Sequence, residues 1–240
     1  MIKIISILLI SVSVLFSDIL NSTNPINMDT QINSSMNEYK EKNKKEKLSY
    51  KELIAYLKVS NDKNKILILG VLYSTDSDKP DDYGEYIKAD PILAKKYILK
   101  AYELGNKKAL SILAGLIFYN DNMAKLDPKL EDAEKYLKQS LKEGVFESEI
   151  ILGNVQLVKG KYQEGISTLV KSANRGDSSS QLQLALIFHK GIYSQEKDSM
   201  VVYSDKKVAE FYLNKACTNE KKSDQVRDFC YSNSVEMTNK

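Results

Sequence analysis

The 240-residue sequence predicts an all-α fold, an α/α superhelix (solenoid) of about four to five antiparallel helix pairs. Three observations predict it. A twelve-residue pattern recurs four times without a gap, its small and apolar positions fall at helical spacing, and glycine closes three of the four copies.

The copies begin at Ala94, Ala133, Gly165 and Ala209. Slot one is always Ala or Gly. Slot five is Ile98, Leu137, Leu169 or Leu213, and slot eight is Ala101, Ser140, Ser172 or Ala216. Slots one, five and eight stand at i, i+4 and i+7, which is one face of an α-helix. Small residues at both ends of that face let a neighbouring helix approach closely. Slot four carries Tyr97, Tyr136 and Tyr212, with Thr168 in the third copy, and reads as packing between helices. Slot twelve is Gly105, Gly144, Gly176 and then Glu220; glycine there suits a left-handed C-terminal turn.

A second helix follows each terminator. Leucine stands eight residues beyond the glycine at Leu113, Leu152 and Leu184, with a small residue next (Ala114, Gly153, Ala185). Upstream, Asn61 takes the glycine slot, because Leu69 and Gly70 fall eight and nine residues later, and Leu53–Leu57 supplies a degenerate first helix. Terminators at 61, 105, 144, 176 and 220 are separated by 44, 39, 32 and 44 residues. The repeating unit is therefore a helix, a tight turn and a second helix, with connectors of variable length between units. Asp90-Pro91 and Asp127-Pro128 each place Asp at the N-cap and Pro at the first helical position, and Asp205 starts the last first-helix. The long loops Ser74–Ala89 and Gly191–Ser204 account for the two 44-residue spacings, and Lys159-Gly160-Lys161 for the short one.

This register resembles the Sel1-like repeat family, a relative of the tetratricopeptide repeats. The residues carrying the likeness are the A-x-x-[YW]-[LI]-x-[KQ]-[AS]-x-x-x-G helix and the L-[GA] helix after it. The match runs over about residues 48 to 232, strongest across 94 to 188, and departs from the pattern at Gly165, Thr168 and Glu220. The resemblance implies a superhelix that holds other proteins, often in envelope or signalling contexts. Its cysteine-rich secreted branch carries penicillin-binding and β-lactamase labels, which gives a hydrolase as the alternative function.

The N-terminus reads as an export signal. Met1-Ile2-Lys3 precedes an apolar run from Ile4 to Phe16, too short to cross a bilayer as a helix, and Ser17 closes it. The expected organisation is a signal peptide over 1–17, a flexible polar linker or frayed helix over 18–47, and the repeat array over 48–238. Removal of the signal leaves no membrane span, and the chain is expected in the periplasm or outside the cell. Cys217 and Cys230 fall in the two helices of the last unit, 13 residues apart. A bridge across that antiparallel pair suits an oxidising compartment better than two unrelated buried thiols.

Composition narrows the chemistry. The charge is +3 from 35 basic and 32 acidic side chains, with Arg175 and Arg227 the only arginines, so nucleic acid is not an expected partner. One histidine, His189, reads as structural near a helix C-terminus. No cofactor is expected. Ser60–Lys63, Ser194–Lys197 and Ser204–Lys207 match Ser-x-x-Lys, about as many as this Ser- and Lys-rich composition gives by chance, and no Lys-[Ser/Thr]-Gly accompanies them. Asp76/Asp78 and Asp81/Asp82 lack calcium-loop spacing and read as solvated loop. Tyr83, Tyr86, Tyr193 and Tyr203 stand in the long loops and are the candidate contacts for a protein or peptide partner.

Overall fold

The computed structural model describes residues 28–77, 80–119, 123, 130–194 and 196–237. The export signal, Asp78 and the Asp127-Pro128 cap lie outside the described residues. Among the described residues there are eleven helices and one short hairpin. The helices are α1 (Met28–Asn43), α2 (Tyr50–Lys58), α3 (Lys63–Leu72), α4 (Pro91–Glu103), α5 (Ala109–Tyr119), α6 (Leu130–Lys142), α7 (Ser148–Val158), α8 (Tyr162–Asn174), α9 (Ser178–Lys190), α10 (Lys206–Thr218) and α11 (Asp224–Met237). The hairpin strands are β1 (Ile192–Ser194) and β2 (Ser199–Val202). The chain divides into two compact units, one holding α1 to α6 and the other α7 to α11 with the hairpin.

The glycine slots make equivalent bends. Gly105, Gly144 and Gly176 have φ of 90°, 86° and 93°. In each, the N–H of the next residue (Asn106, Val145, Asp177) reaches back to the slot-eight carbonyl of Ala101, Ser140 or Ser172, at 2.9, 3.1 and 3.2 Å. This is a left-handed helix stop that satisfies otherwise orphaned carbonyls. The two degenerate terminators do not share it. Helix α2 closes at Val59 and α10 at Asn219, and neither Asn61 nor Glu220 has positive φ. Both carry a Cβ, so the chain leaves the helix in right-handed or extended geometry instead.

Caps fix the helix starts. Asp90 accepts from the Leu93 N–H and Asp205 from the Val208 N–H, while Asp62 accepts from those of Asn64 and Lys65. Ser49 and Glu52 form a reciprocal capping box on α2.

First and second helices bury different surfaces. In α4 only Ala94, Ile98 and Ala101 are buried, the slot-one, -five and -eight stripe. In α5 every residue from Ala109 to Ile117 is buried, because α4 and α6 both pack on it. The most intimate packing runs from a second helix to the first helix of the next repeat: α3 on α4 and α5 on α6 in one unit, α7 on α8 and α9 on α10 in the other. Gly153 and Gly165 show why the contact is close. A Cβ on Gly165 would stand 2.9 Å from the Gly153 carbonyl oxygen, so α7 and α8 meet nearly backbone to backbone.

Three regions differ from the sequence reading. Helix α1 occupies residues read as a flexible lead or frayed helix. It docks through Tyr39, edge-on to Tyr56 at 5.3 Å, and through Glu38, which accepts from Lys65 Nζ (2.6 Å) and Tyr56 Oη (2.7 Å). Lys40 adds an ion pair to Asp82 at 2.8 Å. The Gly191–Ser204 loop contains the antiparallel hairpin, with Ile192 opposite Val202 and Tyr193 opposite Met200. The third is the Ser74–Ala89 loop, whose acidic residues hold it in place as described next.

Candidate interaction surface

The loop after α3 presents Tyr83 and Tyr86, 58% and 54% exposed. Its conformation is built by carboxylates binding backbone. Asp81 accepts from the N–H groups of Tyr50 (2.8 Å), Tyr83 (2.8 Å) and Glu85 (3.0 Å), and Asp82 from that of Leu48 (2.8 Å). Asp76 accepts from the Ala89 N–H at 3.0 Å. Ser77 and Ile87 exchange two further bonds, and the Ile87 side chain is buried. Asp76 and Asp82 stay exposed, as a solvated loop has them, but these aspartates also bind the chain's own backbone. Burial works against the Asp81 carboxylate, but the three N–H donors outweigh it and hold the pKa below the ordinary Asp value. The Lys40 ammonium and the Leu48 N–H lower that of Asp82.

In the second unit the hairpin presents Tyr193 and the adjoining segment presents Tyr203, 41% and 75% exposed. The Tyr193 hydroxyl donates to the Asp198 carboxylate, which raises the phenol's pKa and fixes the ring. The Asp205 N–H donates to the Phe188 carbonyl at 2.7 Å and ties the end of this segment to α9. Beside it lies an aromatic run. Phe188 stacks on Tyr212 at 6.4 Å between centroids, and Tyr212 meets the edge of Phe211 at 5.2 Å. Phe211 is exposed, with Lys215 Nζ 5.1 Å from its ring centre. The sequence reading passed over Phe211, although it sits at slot three, off the buried stripe, where an aromatic has no core to enter. It also passed over Phe146 at the start of the second unit. Phe146 lies under the Arg175 guanidinium (3.9 Å), which is paired with Glu149 at 3.1 Å.

The remaining residues singled out from sequence fall as follows. Tyr97 and Tyr136 are half-buried and Tyr212 is buried. Leu113, Leu152, Leu184, Gly153, Ala133, Ser140, Ser172, Ala209 and Ala216 are buried in their units. Cys217 and Cys230 are disulfide-bonded, their Cα atoms 5.7 Å apart. His189 is exposed in the last turn of α9. Ser60 Oγ accepts from the Asp62 N–H, while Lys63 donates to the Gly105 carbonyl. Ser194 is buried on β1, its hydroxyl accepting from the Lys197 N–H. Ser204 precedes the Asp205 cap of α10. Among the described residues no cluster of His, Cys, Asp and Glu could hold a metal ion, and no helix is long and apolar enough to cross a membrane.

The helix–bend–helix repeat, with the second helices α5, α7 and α9 buried and first helices amphipathic, defines an all-α solenoid of the Sel1-repeat (SLR) fold. Two solved structures share it. A Sel1 repeat protein from Oxalobacter formigenes superposes with a TM-score of 0.53 at 19% identity, covering 84% of this chain and 74% of that one. A protective antigen present in uropathogenic Escherichia coli strains, displaying an SLR fold, superposes with a TM-score of 0.54 at 20% identity. It is matched over 94% of this chain, which spans 44% of that chain's length. No family model matches the chain, and no curated protein matches it.

Proposed function

We propose that this chain is a secreted, non-catalytic repeat scaffold that holds a protein or peptide partner in the cell envelope. The observation that carries the reading is the set of tyrosines, Tyr83, Tyr86, Tyr193 and Tyr203, held outward by loops that are themselves hydrogen-bonded to the helical frame. A large amphipathic ring fixed in advance contributes contact area at small entropic cost when a partner binds. The Cys217–Cys230 disulfide supports a compartment outside the reducing cytoplasm, in keeping with export directed by residues 1–17. The reading assigns no cofactor and no nucleic acid to the chain.

The test is site-specific photocrosslinking in cells from positions 83 and 203, with N-terminal sequencing of the exported chain. The expected result is a new N-terminus just after the apolar run and one stoichiometric protein adduct from the loop positions. A purified chain that hydrolyses a chromogenic β-lactam, and loses this when Ser60, Ser194 or Ser204 is replaced, would overturn the scaffold in favour of the hydrolase.

A further inference from the structure

Helix α11 is attached unlike the other helices of its unit. Each of α7 to α10 buries a stripe or a whole surface against its neighbours. Over 224–232, where the side chains of α11 are described, Val226 alone is buried. It sits on Leu182 and Ala216, with Leu186, Leu213, Phe229 and Cys230 half-buried around it. Packing of α11 against α9 and α10 is thin. The approach to α11 is tied by the Ser223 N–H to Ser178 Oγ at 3.2 Å and by Asn219 Nδ2 to the Gly176 carbonyl (2.9 Å) and Gln181 Oε1 (3.2 Å), and the Arg227–Asp224 pair lies within α11 itself. The covalent link from Cys217 on α10 to Cys230 joins the two helices where packing is sparse. Both cysteines are partly exposed, so a reductant can reach them.

We propose that the Cys217–Cys230 disulfide is a reducible latch on α11: a dithiol reductant frees this helix and uncovers the Leu182–Ala216 face while α7 to α9 stay folded. A thiolate of the dithiol attacks one cysteine sulfur and forms a mixed disulfide, and the other cysteine leaves as a thiolate and takes up a proton. The second thiol of the reductant then resolves the mixed disulfide. The protein gains two electrons and two protons, and the dithiol becomes a disulfide. The cross-link closes a 13-residue separation, so its loss returns loop entropy to the opened state, and over 224–232 Val226 is the one fully buried side chain that opposes opening. The face so exposed is apolar.

The test is hydrogen exchange of the full chain with and without dithiothreitol, read by peptides. Amides of 224–237 should exchange roughly 100-fold faster after reduction, while those of 148–190 change less than about twofold. The Cys217→Ser/Cys230→Ser double variant should show the same pattern without reductant. Val226→Ala with the bridge intact should keep α11 protected. Unchanged protection of 224–237 on reduction, a parallel rise across 148–190, or opening by Val226→Ala as complete as by reduction would each overturn the latch.

Discussion

Two helix interfaces in the second unit solve one geometric problem in opposite ways. Where α9 meets α10, Phe188 stacks on Tyr212, and the slot-one residue is Ala209. Where α7 meets α8, the equivalent places hold Gln156 and Thr168, and slot one is Gly165. There the Thr168 hydroxyl donates to Gln156 Oε1 at 2.7 Å in a buried site, and the two backbones close onto each other at Gly153 and Gly165. At α9–α10 the aromatic pair fills the space between the helices; at α7–α8 the glycine pair brings the backbones together beside a short polar contact. The departures of the third repeat at Gly165 and Thr168 thus meet at one interface, where Thr168 is bonded to Gln156 on the facing helix. The α3–α4 interface combines the two: Tyr73 stacks on Tyr97 at 5.9 Å, and a Cβ on Gly70 would stand 2.9 Å from the Ile98 backbone nitrogen.

The sharpest way to break this comparison is to cross the two solutions. Gly165→Ala places a methyl 2.8 Å from Leu157 Cγ and 2.9 Å from a carbonyl oxygen that cannot swing away. We expect a loss of about 3 kcal/mol, the upper end of overpacking, despite the better helix propensity of alanine. The reverse change in the aromatic interface, Ala209→Gly, should cost only about 1 kcal/mol through helix propensity. Urea denaturation of each variant reads both, and equal losses would refute the asymmetry.

The polar contact itself comes next. Thr168→Val leaves Gln156 Oε1 buried without its hydroxyl donor, for an expected loss of about 2 kcal/mol. Gln156→Leu in the same chain removes the stranded carboxamide and should recover most of that. A double-mutant cycle with no coupling between 156 and 168 would show that the two positions were exchanged independently.

These couplings explain what the sequence discloses. A pattern local to twelve residues is readable, so the bends at Gly105, Gly144 and Gly176 and the buried stripe follow directly from spacing. Contacts decided by residues far apart are not. Helix α1 has too few apolar residues to announce itself, and it is fixed by Tyr56, Lys65 and Asp82, which lie up to about forty positions away. The hairpin is held by a pairing between short strands in a segment whose composition reads as loop. Asp81 and Asp82 look like surface charges until Leu48 and Tyr50 bring their N–H groups to them. Of the candidate surface, the loop tyrosines were visible because they break the repeat register, and Phe211 stayed hidden inside it.

Acid separates the two units further. In the first, hydrogen bonds and ion pairs hold Glu38 (from Lys65, then Tyr56), Glu52 (from Lys45), Asp82 (from Lys40) and Glu143 (from Tyr102) below the ordinary carboxylate values. Carboxyl groups with depressed folded pKa stabilise fully above their unfolded values, near 4, and lose that contribution as pH falls through the folded values. In the second unit Asp177, the N-cap of α9, is shifted upward by burial, against the lowering effect of its bonds to Ser180. Its sign is opposite: it takes up a proton more readily folded than unfolded, so its contribution grows as pH falls. Hydrogen exchange below pH 4, corrected for intrinsic rates, should therefore show α1 and the 73–90 loop opening before α8 and α9. Simultaneous opening would contradict this partition.

The smallest effect on stability is expected at the proposed contacts, and there the comparison concerns two tyrosines of one segment. Tyr193 is held by Asp198 within the hairpin, whereas Tyr203 is three-quarters exposed just past β2. Tyr203→Ser removes a ring that buries little, so the unfolding free energy should move by less than about 0.5 kcal/mol. If that ring is a partner contact, the crosslinked adduct formed from position 211, in the same unit, should weaken in the Tyr203→Ser chain by about tenfold or more, since buried aromatic anchors carry much of an interface's energy. Asp198→Asn should weaken it less, because the phenol keeps its place and only the strength of its hydrogen bond falls. An adduct unchanged by Tyr203→Ser, with stability also unchanged, would mean that this tyrosine faces water in the bound state as well as the free one.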